Sequence, residues 1–131
     1  MTYVADTRFL ITFWFPPDQT TKMAVIRLMR AALAEGLLIP SIAITEYIRV
    51  AGKRVGIEAS ETHIRSLLAS GARVRSIDER IAFTAGELAL RCPGVPIADA
   101  VIAAVAVEEK ASFVITDDEH FRHMGLRTKW I

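Results

Sequence analysis

One stretch restricts the possible folds more than any other. Residues 97–107 read Ile-Ala-Asp-Ala-Val-Ile-Ala-Ala-Val-Ala-Val, with Asp99 the single polar side chain. The run is longer than a buried strand of about 4–8 residues and shorter than the ~20 apolar residues of a membrane-crossing helix. What remains is a helix that is apolar on every face, and such a helix has to be buried. An ionised carboxylate inside it costs several kcal/mol unless it is hydrogen-bonded, paired or bound to a metal. Asp99 closely follows Pro96. It therefore either caps the helix start, where free amides and the helix dipole favour an acid, or belongs to a site.

Composition narrows the setting. The chain has 131 residues, 52% of them hydrophobic, with a formal net charge of +1, so a disordered chain is excluded. The length suits one domain spanning residues 1–131. A lone cysteine, Cys92, excludes a disulfide scaffold and points to a reducing, cytoplasmic setting. The longest unbroken apolar stretch, 100–107, is eight residues, so no membrane span is expected. Asp6 and Arg8 arrive too early for a secretion signal. The even charge balance argues against a wholly basic nucleic-acid wrapper but leaves room for a local basic face.

Strand and helix patterns alternate along the chain. Tyr3-Val4-Ala5 is a β-type run ending at Asp6, and two aromatic runs then halt at Pro16-Pro17. Thr20 or Thr21 caps a helix with Met23, Ile26, Met29 and Leu33 at three-to-four spacing, closed by a left-handed Gly36. Leu37-Leu38-Ile39 is a buried strand, and Ser41 caps a helix carrying Ile42, Glu46 and Arg49 on one side, broken at Gly52 and Gly56. A helix with Ile57, Ile64, Leu67 and Leu68 runs to Gly71, a brief strand covers 74–77, and Asp78 caps the next helix. Phe113-Val114-Ile115 is a strand ending in Thr116-Asp117-Asp118, with a last strand within 126–131. This alternation implies βαβ units and a mostly parallel sheet.

In a parallel sheet all strand C-termini share one edge, where ligands of open α/β folds bind. Asp6 and the Asp117-Asp118 pair each follow a strand directly, Glu46 lies just over one turn into a helix leaving that edge, and Asp99 starts another. Any one of these is an ordinary turn or cap residue. Together they repel unless cations neutralise them. Oxygen ligands without a cysteine cluster select Mg2+ or Mn2+, and such ions support phosphodiester hydrolysis. A dehalogenase-type phosphotransfer site needs Asp-x-Asp after the first strand, and here Arg8 stands in the second acidic place. A receiver-type site wants its acidic pair after the first strand rather than a late one.

At these residues the sequence resembles the PIN-domain family of ribonucleases, in particular the short VapC-like toxins. Val4-Ala5-Asp6-Thr7 resembles the opening strand and first acid, and residues 41–47 the helix that carries the glutamate, Glu46. Pro96-Ile97-Ala98-Asp99-Ala100 resembles the third acidic motif, and residues 115–121 the closing one. The resemblance implies a three-layer α/β/α domain with a central, mostly parallel sheet. It implies a metal-dependent endoribonuclease, often dimeric, restrained by a small antitoxin. Asp6, Glu46, Asp99 and Asp118 are the implied ligands of Mg2+ or Mn2+, with Asp117 a second candidate for the fourth acid. Thr116 would hydrogen-bond water or a metal ligand, and Thr7 would orient Asp6.

Twelve of the sixteen basic residues are arginine, which favours bidentate contact with phosphate. Arg49, Lys53 and Arg54 beyond Glu46, and Arg122, Arg127 and Lys129 after the last acids, are candidate RNA-backbone contacts or simply a solvated charged face. His120 and His123 can donate to phosphate but read better as surface histidines, and Phe9, Phe13, Trp14 and Phe15 read as core with a share in an interface. The expected activity is RNA hydrolysis. The alternatives are a PIN-fold nuclease of RNA processing and a non-catalytic module binding RNA or protein.

Overall fold

The computed structural model describes all residues from 1 to 131. Strand β1 (Tyr3–Ala5) is buried throughout and ends at Asp6, whose side chain accepts the Thr7 N–H and so starts helix α1 (Thr7–Trp14). After the two prolines, α2 (Gln19–Glu35) leads into β2 (Leu37–Pro40), and the helical hairpin α3 (Ser41–Val55) and α4 (Ile57–Ala69) leads into β3 (Arg73–Arg75). Helices α5 (Glu79–Arg91) and α6 (Ile97–Glu108) then pack on each other and return the chain to β4 (Phe113–Ile115). The one-turn α7 (His120–His123) and β5 (Thr128–Lys129) complete it.

The five strands form one sheet in the order β3-β2-β1-β4-β5, and every neighbouring pair is parallel. Helices enclose this sheet in an α/β three-layer arrangement. The chain builds outward from β1 through β2 to β3, then crosses back to add β4 and β5 on the other side of β1. The direction of winding therefore reverses between β1 and β4, and a crevice opens there at the carboxyl ends of the strands. Asp6 and Thr116, the residues that follow these two strands, stand at that crevice.

Helix α6 meets the requirement set by its sequence over residues 100–106, which are all buried, but not at the two ends of the run, where Ile97 and Val107 are exposed. The helix packs against β1 and β4 as well as α3 and α5. Its four alanines among these seven residues let neighbouring backbones approach closely.

Several local expectations need correction. Helix α2 is capped by Asp18, whose carboxylate accepts the Thr21 N–H at 2.7 Å, rather than by Thr20 or Thr21. Ser41 is the first helical residue of α3 and makes no capping bond with its side chain. Gly52 lies inside α3, and only Gly56 breaks the chain. Gly36 does close α2 with a positive φ of 140°, but at ψ 111° it is outside the left-handed helical region. The third strand sits at Arg73–Arg75, starting one residue and ending two residues earlier than 74–77. Phe9 is core, whereas Phe13, Trp14 and Phe15 are half-buried, Trp14 stacking on His63 with ring centroids 4.0 Å apart.

Candidate active site

The crevice at the reversal point is an open cavity of about 350 Å3 whose wall includes Asp6, Thr7, Arg8, Glu46, Asp99, Asp118 and His120. Four carboxylates from four distant segments thus line one cavity. Asp6 arrives from the end of β1, Glu46 from the second turn of α3, Asp99 from the first turn of α6 and Asp118 from the loop after β4.

Their supports are specific. Asp6 is 3% exposed. Its Oδ1 accepts the Thr7 N–H at 2.8 Å, and its Oδ2 accepts the Thr116 hydroxyl at 2.7 Å, so both oxygens are held. The same Thr116 Oγ1 accepts the Asp118 N–H at 3.0 Å. One buried hydroxyl therefore links the first acid to the loop of the last. The Thr7 side chain turns the other way and donates to Glu46 Oε1 at 2.7 Å. Thr7 was expected to orient Asp6; its backbone does this, while its hydroxyl positions Glu46.

Asp99 does not cap α6, since the N-cap position is Pro96 and the helix start carries no side-chain capping bond. Its carboxylate instead bonds the imidazole of His120, Oδ2 to Nδ1 at 3.0 Å. His120 Nδ1 is also 3.1 Å from Asp118 Oδ1. Asp117 points away from this group. It is ion-paired with Arg8, and it is absent from the cavity wall that Asp118 lines.

The electrostatics follow from this crowding. Burial, with Asp99 and Asp118 adding their charge, pushes the Asp6 carboxyl up to about 7 despite the bonds from Thr116 and Thr7. Asp99 is also raised, by burial first and then by Asp118 and Glu46, against the opposing bond from His120. Asp117 goes the other way, held low by the Arg8 guanidinium. Its hydrogen bond to Asp99, with further attraction from Asp118, raises the His120 imidazole.

The donor set fits a divalent cation. Like charges driven together out of water favour a neutralising ion, and carboxylate oxygens suit Mg2+ or Mn2+. Asp99, Asp118 and His120 can each offer one ligand atom, all within 4.8 Å of one another.

The basic candidates lie outside the cavity wall. Arg49, Lys53 and Arg54 are exposed on α3 beyond Glu46, and Arg54 is seated over the Phe15 ring at 4.3 Å. Arg122 is exposed and pairs with Glu119 at 3.5 Å. Arg127 lies over the Phe113 ring at 4.6 Å. Two residues of the wall were read otherwise from the sequence: Arg8 only as the residue that breaks an Asp-x-Asp pattern, and His120 as a surface histidine. The signal for them was position: Arg8 is two residues past the first acid and His120 two past the last.

The sequence matches the PIN domain family model over residues 3–126, and the chain belongs to the PIN domain family. No curated protein matches it. The fold is similar to VapBC2 from Rickettsia felis, solved with a DNA fragment from their promoter (TM-score 0.80, 17% identity, 99% of this chain and 98% of that one). It is also similar to VapC20 of Mycobacterium tuberculosis, a Sarcin-Ricin loop cleaving toxin (TM-score 0.79, 19% identity, 95% and 96% covered). A toxin–antitoxin complex from Klebsiella pneumoniae shares it too (TM-score 0.64, 22% identity, 90% and 88% covered).

Proposed function

We propose that this chain is a Mg2+- or Mn2+-dependent endoribonuclease and the toxin of a VapBC-type toxin–antitoxin pair. The observation that carries the reading is the meeting of Asp6, Glu46, Asp99 and Asp118 at the reversal point of a parallel sheet. These four would hold the ion. When bound, such an ion lowers the pKa of a water and offsets charge on the phosphate.

The residues of the chain do the positioning. Thr116 fixes Asp6 and the turn bearing Asp118, while Thr7 fixes Glu46. Arg8, at the cavity wall, offers a guanidinium to an RNA phosphate beside the acids, with Asp117 holding it in place. Arg49 and Lys53 follow Glu46 at helical spacings of three and seven residues, continuing a basic track along α3 for the RNA backbone. Arg54 and Arg122 are further backbone contacts. Water attacks the phosphodiester directly, with no covalent enzyme intermediate.

Likeness in fold to a toxin and to a toxin–antitoxin complex supports the toxin role and an antitoxin as partner; a homodimer and a cytoplasmic location belong to the same proposal. No helix is long and apolar enough to cross a membrane. Expression of the chain alone should arrest growth, and co-expression of the small protein encoded beside it should relieve the arrest. Growth unaffected by the active chain would contradict the toxin assignment. RNA cleavage that survives Asp6→Asn in a folded protein would contradict the nuclease assignment itself.

A further inference from the structure

Four acids are enough to explain a divalent cation in the crevice, yet a histidine is seated among them. Nδ1 of His120 stands 3.0 Å from Asp99 Oδ2 and 3.1 Å from Asp118 Oδ1. On an octahedral ion with bonds of ~2.1 Å, neighbouring ligand atoms lie ~3 Å apart, so the imidazole nitrogen has the spacing of a neighbouring ligand to each of the two carboxylate oxygens. The ring is not a loose surface group. His120 N donates to Asp118 Oδ1 at 2.9 Å, and Asp118 N donates to Thr116 Oγ1 at 3.0 Å. The turn that presents Asp118 therefore presents the imidazole as well, from a residue that lines the cavity.

We propose that His120 is itself a metal ligand through Nδ1, and that this nitrogen makes the centre prefer Mn2+ over Mg2+. The inference rests on the metal-dependent reading of the same cavity. Mg2+ is a hard ion that takes oxygen ligands and gives up its waters reluctantly. Nitrogen donors suit first-row transition ions rather than Mg2+, and among those ions Mn2+ is the one that carboxylate oxygens also suit, so one imidazole among carboxylates tilts the choice between the two toward Mn2+. The other two histidines do not compete for this role. His63 is stacked on Trp14 and bonded to the Tyr47 hydroxyl at 2.7 Å. His123 is not part of the cavity wall.

Pulsed electron paramagnetic resonance of the Mn2+-loaded protein reads directly whether a histidine nitrogen is bound. Calorimetric titration with MnCl2 and MgCl2 reads the affinity ratio without any catalytic turnover. The parent should show histidine nitrogen coupling that His120→Ala and His120→Asn both lack. Their preference for Mn2+ over Mg2+ should fall ~10-fold or more, with Mg2+ affinity changing much less. A parent spectrum without nitrogen coupling, or folded variants that keep the parental ratio, overturns the ligand assignment while leaving the acidic centre standing. A parent that binds neither ion overturns both.

Discussion

At the scale of the residue, Asp6 shows what burial among other carboxylates does to an acid. Its folded pKa of about 7 lies above the ordinary carboxylate value, so the folded state binds a proton more tightly than the unfolded chain. Stability from this group is complete below about pH 4 and is lost as the pH rises toward 7. Asp99 and His120, both raised, act in the same direction, His120 from about pH 6.5 upward. Asp117, held low by Arg8, acts oppositely, but its contribution is lost only as the pH falls below about 4. The metal-free protein should therefore be less stable at pH 8 than at pH 5 when unfolded by urea in chelator. Asp6→Asn should recover on the order of 2–4 kcal/mol of stability at pH 8 and abolish RNA cleavage. An unchanged or lower pH 8 stability in that variant would contradict the buried-charge account. Thr116→Val removes the bond to Asp6 Oδ2 and the acceptor for Asp118 N, and should cost about 1–3 kcal/mol. Metal affinity, measured by titration, should fall about 10–100-fold with it, as it does when a ligand's supporting partner is lost. Residue types and positions along the chain revealed these acids. They did not reveal that Thr7 serves Glu46, or that Asp117 turns to Arg8, because those choices depend on side-chain directions set by the assembled turns.

At the scale of the element, legibility tracked how far local chemistry agreed with tertiary packing. Helix α6 was readable because burial on every side leaves an unmistakable pattern, and it is the element that the sheet and three other helices enclose. Its alanines are a fit rather than filler: Ala104→Leu, at a fully buried position, should destabilise the chain by about 1–3 kcal/mol in thermal or urea unfolding. A neutral outcome would mean that the interface has slack. Helix α1 was not readable. Phe9, Ile11, Thr12, Phe13 and Trp14 are β-branched or aromatic residues with modest helix preference. The Asp6 cap and the burial of Phe9 and Leu10 overrule that preference. Gly52 misled for the reverse reason. Glycine weakens a helix without ending it, and packing of α3 on α4 carries the helix through. Gly36 is a true stop, at φ 140° with an added Cβ only 3.3 Å from the Met1 carbonyl. Gly36→Ala should therefore cost at least about 1 kcal/mol, checked by the shift in unfolding midpoint.

At the scale of the molecule, the even charge balance conceals a local imbalance. The carboxylates concentrate at the strand C-termini, while Arg8 at the wall and Arg49 and Lys53 along α3 supply the opposing sign. A parallel sheet with its reversal point at β1 and β4 makes this arrangement economical, because strand ends and helix starts arrive at one edge whatever their distance along the chain. That topology was legible from alternating elements, and so was the set of acids it gathers. The roles of Arg8 and His120 were not: both stand two residues past an acid, but that spacing alone does not show which side chain folds over the cavity. Arg8→Ala should weaken RNA binding and flatten its salt dependence while leaving metal affinity nearly unchanged, by filter binding and calorimetry. In the proposed function, the four gathered acids hold the metal of an RNA-cleaving centre. The most direct measurement is cleavage of a defined RNA by the parent and by Asp99→Asn, each with Mn2+, with Mg2+ and with chelator, alongside circular dichroism. The parent should cleave with either ion and not in chelator, and a fully folded Asp99→Asn should not cleave. Equal cleavage in chelator, or by the variant, would contradict that function.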